Sequence, residues 1–377
     1  MKVVAWGVLA IALTQGAAQP PARPRARDLG IAPGVMETGP ANAITDVSGV
    51  LVGQTTIVLG ENVRTGVTAI LPHAGNVFRE KVAGAVFVGN AFGKLAGSTQ
   101  VEELGTIESP IVLTNTLSVG AVMDAVVRWT IAQPGNDTVR SVNALVGETN
   151  DGVLNDIRGL HVTRAHVLSA LAGARSGAVD EGAVGAGTGT VAFGWKGGIG
   201  TSSRRVRQEN ETWTVGVLVQ TNYGGKLTIA GVPVWRELTP HPAPAAPLPT
   251  DDGSCMIVVA TDAPLDARDL KRMAARAIYG LARTGSTYSN GSGDFAIAFS
   301  THASLRVTNA NGLQSRSILP TDSVSGLFEA ALDATEEAVY NSLLKATDTA
   351  GNGRTIRALP VDRLKELLGK YGRVLPQ

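Results

Sequence analysis

The chain of 377 residues has a single cysteine, Cys255. No disulfide can form within it, so stability must come from the core. An excess of charge of one sign is also missing: 33 Lys and Arg face 32 Asp and Glu, a net charge of +1. No Lys/Arg cluster interrupts that balance, which excludes the electrostatic footprint of a nucleic-acid binder. The opening apolar run is too short to span a bilayer comfortably, and no later stretch does so either. Histidine is scarce. His73, His161, His166, His241 and His302 form no recognised pairing with a nearby carboxylate, and a spacing of five keeps His161 and His166 off one helical face. No metal site and no cofactor are expected, and the histidines read as surface or cap residues. A "GxSxG" elbow is absent, which removes the usual support for a Ser-His-Asp triad. No internal repeat is visible.

Glycine, in contrast, is plentiful, with 45 residues that point to many tight turns and close backbone approaches. The opening "MKVVAWGVLAIALTQGAAQP" has one Lys, a short apolar run and small residues before Gln19. It reads as a secretory signal over residues 1–18, and places the mature protein in the periplasm or outside the cell. A buried N-terminal strand or a membrane anchor is the alternative.

From residue 42 onward, β-branched runs alternate with glycine turns. "GVLVGQTTIVLG", "GVTAILPH", "AGAVFVGN" and "SPIVLTNT" read as strands. Helices are predicted at "SVGAVMDAVVRWTIAQ" and over 162–173. Later, "ETWTVGVLVQTN", "SCMIVVATDAPL" and "GDFAIAFST" read as strands, and "DARDLKRMAARAIYGLARTG" as an amphipathic helix with Leu270, Met273, Ala277 and Leu281 on one side. The long helix "SGLFEAALDATEEAVYNSLLKAT" turns Leu327, Ala331, Ala338 and Leu343 inward, and a final short helix runs through "VDRLKELLGKY". The strands are apolar on both faces, so the sheets must be covered on both sides. A layered α/β sandwich follows, with the part after the proline-rich run completing a shared core.

"GAGTGT" at 185–190 is loosely like a phosphate-cradling loop, but such a loop opens a helix. Here it leads into "VAFGW", which reads as a strand, so close backbone packing or a loop facing substrate is the better account.

The joint at "PAPAAPLPTDDGSCMIVV" is unusual: a proline-stiffened, exposed run ends at Gly253, and an apolar strand begins at Ser254. Two readings are open. One is a turn entering a strand. The other is a chain that cuts itself, because Gly253 leaves its carbonyl unshielded and the Ser254 hydroxyl can attack it from the next residue. After such a cut, Ser254 carries its own base: an α-amine titrates at roughly 7.7–8.0, so part of it is neutral near pH 7.

The blocks 89–120 ("GNAFGKLAGSTQVEELGTIESPIVLTNTLSVG"), "VGETNDGVLNDIRG", "GAGTGTVAFGWKGGIGTSSR", "VQTNYGG", "GSCMIVVATDAPL" and "SNGSGDFAIAFST" closely resemble the L-aminopeptidase/D-esterase and β-peptidyl aminopeptidase family. Together with "NAITDVSGVLVGQTT" they span nearly the whole mature chain. The resemblance implies a precursor that cleaves itself between Gly253 and Ser254. The large chain (19–253) and the small chain (254–377) would stay in one four-layer αββα sandwich like that of the N-terminal-nucleophile hydrolases, with different connectivity.

It further implies Ser254 as nucleophile, Ser292 and Asp294 of "NGSGD" as neighbours that move or hold protons, and Asn222 as an oxyanion donor. Glu148 of "GETND" would hold the free amine of the substrate. Asp294 stands where the family often has Glu, a shorter reach. Gln54 stands where relatives commonly have histidine and is given no role. Asn150 stands where some members that hydrolyse D-amino acid substrates have tyrosine, which tilts the reading toward β-aminopeptidase activity. The expected substrate is a short peptide, amide or ester with a free amino terminus, and the expected assembly is a homotetramer of processed pairs without membrane attachment once the signal is removed. The rival readings are a D-stereospecific amidase-esterase of the same family, a self-cleaving ornithine acetyl-transfer enzyme and a non-catalytic binding protein on this fold. The last is opposed by intact Gly253, Ser254, Asn222, Ser292 and Glu148; the transfer enzyme, which uses a threonine nucleophile and needs no export signal, fits this chain in neither respect.

Overall fold

Along Ser254–Thr261 successive side chains point to opposite faces, as a strand requires. Cys255, Ile257 and Val259 enter one apolar cluster, while Met256, Val258 and Ala260 enter another. All six are fully buried. A strand sealed on both faces must lie inside a layered stack.

The computed structural model describes residues 23–208, 210–240, 253–308 and 312–373. The segment read as a signal sequence (1–18) and residues 241–252 of the proline-rich run lie outside them. In chain order the longer strands are β1 (Leu51–Leu59), β2 (Val63–Leu71), β3 (Glu80–Ala91), β4 (Ile111–Asn115) and β5 (Leu145–Thr149). They continue with β6 (Gly198–Gln208), β7 (Glu211–Asn222), β8 (Ser254–Thr261) and β9 (Gly293–Ser300). The longer helices are α1 (Val119–Ile131), α2 (Arg164–Ala172), α3 (Ala267–Arg283), α4 (Ser325–Lys345) and α5 (Val361–Lys370).

One sheet runs β1-β2-β4-β5 and ends on the short strand Leu95–Ala96; the other runs β6-β7-β8-β9-β3 with short strands added at its β3 side. Side chains of both sheets, among them Ile111, Leu113 and Leu145 against Leu218, Met256 and Ile297, make the central core. Helices α1 and α2 cover the outer face of the first sheet through Val122, Val126, Val167 and Leu171. Helices α3 and α4 cover the outer face of the second through Leu270, Met273, Leu281, Leu327 and Ala338. The result is an αββα sandwich of four layers. Each fully buried Leu or Met contributes roughly 1.5–3 kcal/mol.

The two helical faces expected in α3 and α4 are the buried ones. Asp266 caps α3 by accepting from the Asp269 amide, which fixes where the helix begins. "VAFGW" differs from expectation. It is a tight hairpin, with two-residue strands at Val191–Ala192 and Trp195–Lys196 joined through Phe193 (φ 55°) and Gly194 (φ 78°). The left-handed backbone at those two residues reverses the chain and ends the strand. His73 also departs from the surface reading: it is buried, with Nε2 against the Glu80 carbonyl at 2.9 Å. His302 does cap a turn.

Candidate active site

Three strand ends meet at one point of the second sheet. The last residue of β7, Asn222, pairs with the first of β8, Ser254, in antiparallel register. Ser254 in turn pairs with Gly293, the first residue of β9, in parallel register. The sheet therefore brings Asn222, Ser254 and the "NGSGD" loop together, although they are far apart in sequence. A cleft of about 810 Å³ opens over this junction. Ser254, Asn222, Gly253, Glu148 and Asn150 all line it.

The Gly253 carbonyl accepts from the Gly293 amide at 3.0 Å, and the same amide lies 3.3 Å from Ser254 Oγ. Gly253 is confined by backbone: a Cβ there would lie 2.3 Å from the Asn222 carbonyl oxygen and 2.4 Å from the Tyr223 Cα. Only glycine fits.

Asn222 Oδ1 accepts from the Val191 amide at 3.0 Å. A backbone N–H can only donate, so this bond decides which end of the side-chain amide faces away. Nδ2 has no protein partner among the described residues. It is a donor held on the wall of the cleft.

Ser292 and Asp294 lie just behind that wall, both buried. The Ser292 hydroxyl donates to Asp294 Oδ2 at 2.7 Å. Burial pushes the Asp294 carboxyl up to about 6, offset in part by the Ser292 hydroxyl and the Cys255 backbone. No hydrogen bond joins Ser292 to Ser254 among the described residues; the two are linked through the Gly293 backbone that separates them. Burial likewise pushes the thiol of Cys255 up, which leaves this neighbour of Ser254 inert.

Glu148 sits near the end of β5, opposite Thr114 of β4. Its side chain is 2 % exposed. Oε1 accepts from the Lys94 amide at 3.0 Å, Oε2 from the Thr116 hydroxyl. The Lys94 ammonium, on a side chain 57 % exposed, stands 3.6 Å from Oε1. Asn150 is exposed and folds back, its Oδ1 accepting from the Gly152 amide at 2.9 Å. Gln54 is turned elsewhere, its amide donating to the Asp180 carbonyl.

The profile of peptidase family S58 matches residues 42–356. The chain belongs to that family. Among curated proteins, the S58 chain is 44% identical over 376 aligned residues to β-peptidyl aminopeptidase BapA of Sphingosinicella microcystinivorans, with 93% of each covered. Among solved structures, the PH0078 protein of Pyrococcus horikoshii OT3 matches at 47% identity with a TM-score of 0.87, covering 93% of this chain and 100% of that one. The L-aminopeptidase D-Ala-esterase/amidase of Ochrobactrum anthropi matches at 39% identity and a TM-score of 0.86, covering 93% and 99%. That structure is described as a prototype serine aminopeptidase and a new variant of the Ntn hydrolase fold. An S58 peptidase with these relatives is a hydrolase of the aminopeptidase type.

Sequence reasoning missed several parts of this S58 site. Thr116 and Lys94 hold the Glu148 carboxylate, and Asn352 and Arg354 reach the cleft from a carboxy-terminal hairpin. Gly293 was hidden because its contribution is a backbone amide. Lys196 was overlooked too, although a lone charge inside "FGWKGG" was a visible signal. Its side chain is completely buried.

Proposed function

We propose that this protein is a self-processing serine aminopeptidase. It releases an unmodified N-terminal residue, β-alanine-like or a small L-amino acid, from short peptides, amides and esters. The observation that carries the reading is the junction itself: a serine at the start of a buried strand, facing a cleft that also presents a buried carboxylate and an amide donor with no partner among the described residues.

In the self-cleavage step, Ser254 Oγ attacks the Gly253 carbonyl carbon. The developing oxyanion is stabilised by the Gly293 amide that already holds that oxygen. Collapse breaks the peptide C–N bond, leaving an ester at Ser254 and a free α-amine. Water then opens the ester, giving a Gly253 carboxylate and a new amino terminus.

For substrate, the Ser254 proton passes to the new α-amine or to Ser292, whose hydroxyl is oriented by Asp294. Asn222 Nδ2 donates to the tetrahedral oxyanion. The leaving amine takes the proton, and water releases the acyl group. The substrate ammonium binds Glu148 by a charge-assisted hydrogen bond, displacing the exposed Lys94 ammonium that stands there without substrate. Phe92, Val153 and Phe193 give the cleft apolar walls suited to a small aliphatic residue. The name of the Sphingosinicella relative supports the β-amino preference.

Export by the 1–18 segment and assembly as a homotetramer of processed pairs belong to the same proposal. Amino-terminal sequencing of the secreted large chain and sedimentation of the purified enzyme test them.

The decisive experiment is a denaturing gel with amino-terminal sequencing of the smaller fragment. Wild type yields a fragment starting at Ser254, whereas Ser254→Ala yields one uncut chain without hydrolase activity. A fragment starting elsewhere, or turnover by Ser254→Ala, would overturn the assignment. Rates on β-alanyl, L-alanyl and D-alanyl amides rank the substrates, with β-alanyl expected fastest.

A further inference from the structure

Lys196 is buried in the hairpin beneath the cleft, and its Nζ donates to three carbonyls: Gly187 at 2.9 Å, Thr190 at 2.8 Å and Gly197 at 2.8 Å. Three acceptors match the three protons of an ammonium, whereas a neutral amine has only two. Burial pushes this amine down to about 7, offset by the Asp151 carboxylate. The cage of three carbonyl acceptors is the geometry that suits the ammonium form.

The Thr190 carbonyl belongs to the same peptide group as the Val191 amide. That amide donates to Asn222 Oδ1 at 3.0 Å. One rigid, planar unit thus has the ammonium on its oxygen and Asn222 on its nitrogen. The Gly197 amide also reaches the Thr190 oxygen, at 3.2 Å, so the plane is gripped from two sides. A cation on a carbonyl oxygen polarises the whole group and strengthens its N–H as a donor.

From this we propose that Lys196 is a positioning residue for hydrolysis: through the Thr190–Val191 peptide it fixes and polarises the Asn222 side chain, so that Nδ2 is presented to the oxyanion. Lys196 touches neither substrate nor Ser254. The inference rests on the proposed role of Asn222.

The test is a double-mutant cycle on the full chain, with processing followed on a gel, turnover normalised to cleaved protein, and melting temperature recorded. Asn222→Ala is expected to lower kcat roughly 10²–10³-fold. Lys196→Met is expected to lower kcat roughly 10- to 100-fold, the size seen for partners that orient metal ligands, with KM changed less than about threefold. In the Asn222→Ala background, loss of Lys196 should lower kcat by no more than about twofold. If Lys196→Met does not fold, Lys196→Gln, which keeps one donor, takes its place in the cycle. A merely structural lysine would lower the melting temperature and multiply its kcat loss through the double mutant, which overturns the inference while leaving Asn222 in its role. An Asn222→Ala enzyme within threefold of wild type would instead overturn the role of Asn222, and this inference with it.

Discussion

Asp294 is a carboxyl with no exposure to water, held by the Ser292 hydroxyl at 2.7 Å and by the Cys255 backbone. Its titration, raised from 3.8 to about 6, has opposite consequences for activity and stability. The charged form is the better acceptor for Ser292, so kcat should show a limb rising with pH through about 6, distinct from any limb of the Ser254 α-amine at roughly 7.7–8.0. That acid limb should vanish in Asp294→Asn, which a kcat–pH profile would reveal. For stability, the folded state bears the burial cost of the charge above pH 6 and none below about 4, where the group is protonated folded and unfolded alike. Asp294→Asn should therefore gain up to roughly 3 kcal/mol above pH 6, and that gain should be gone at pH 4. Denaturant titrations at the two pH values, run on the uncut Ser254→Ala chain so that unfolding is reversible, measure it. In the proposed function, Glu148 acts by charge on the substrate amine. Glu148→Gln should cost about 1.5–3 kcal/mol in kcat/KM for substrates with a free amine, and leave the small rate on an N-acetylated analogue unchanged.

At the scale of the elements, glycines decide how closely layers approach. A Cβ at Gly200 of β6 would lie 1.9 Å from the Ala338 carbonyl oxygen of α4. Backbone on both sides cannot yield, so Gly200→Ala should destabilise by at least about 1–3 kcal/mol, read as a lowered melting temperature. Gly253→Ala meets the same obstacle at the cleft; its chain should accumulate uncut even though an alanine carbonyl could in chemistry be attacked in the same way. The elements themselves were largely legible, because long periodic runs such as α3 and β8 declare their type. The hairpin at Val191–Lys196 was not, since a left-handed Phe193 is imposed by the surrounding structure and not by local propensity. Candidate site residues were legible through motif resemblance, and their convergence depends on strand register between distant segments. The backbone donor at Gly293 leaves no trace in residue type, and Lys196 shows only as a lone charge inside "FGWKGG", which does not tell its partners.

At the scale of the whole molecule, a buried carboxylate ties the second sheet to its covering helix and to the amino-terminal segment. Glu337 of α4 receives Arg204 from β6 at 2.7 Å and Arg27 from the amino-terminal segment at 3.0 Å. Arg204 and Glu337 are both fully buried. Glu337→Ala would strand the guanidinium and should cost about 3–5 kcal/mol by denaturant titration of the uncut Ser254→Ala chain.

The place of β8, with β7 on one flank and β9 on the other, has a consequence for the life history of the enzyme. Once the proposed cut is made, the sheet holds two polypeptides that are neighbours by contact alone. Unfolding then separates them, and return requires two dilute chains to meet, one of them exposing the raw edge of β7 where β8 had paired, which invites wrong pairing. The uncut precursor folds as a single chain and meets no such barrier. Maturation is thus a one-way door: durability of the finished enzyme is governed by how slowly it opens, and not by an equilibrium it can revisit.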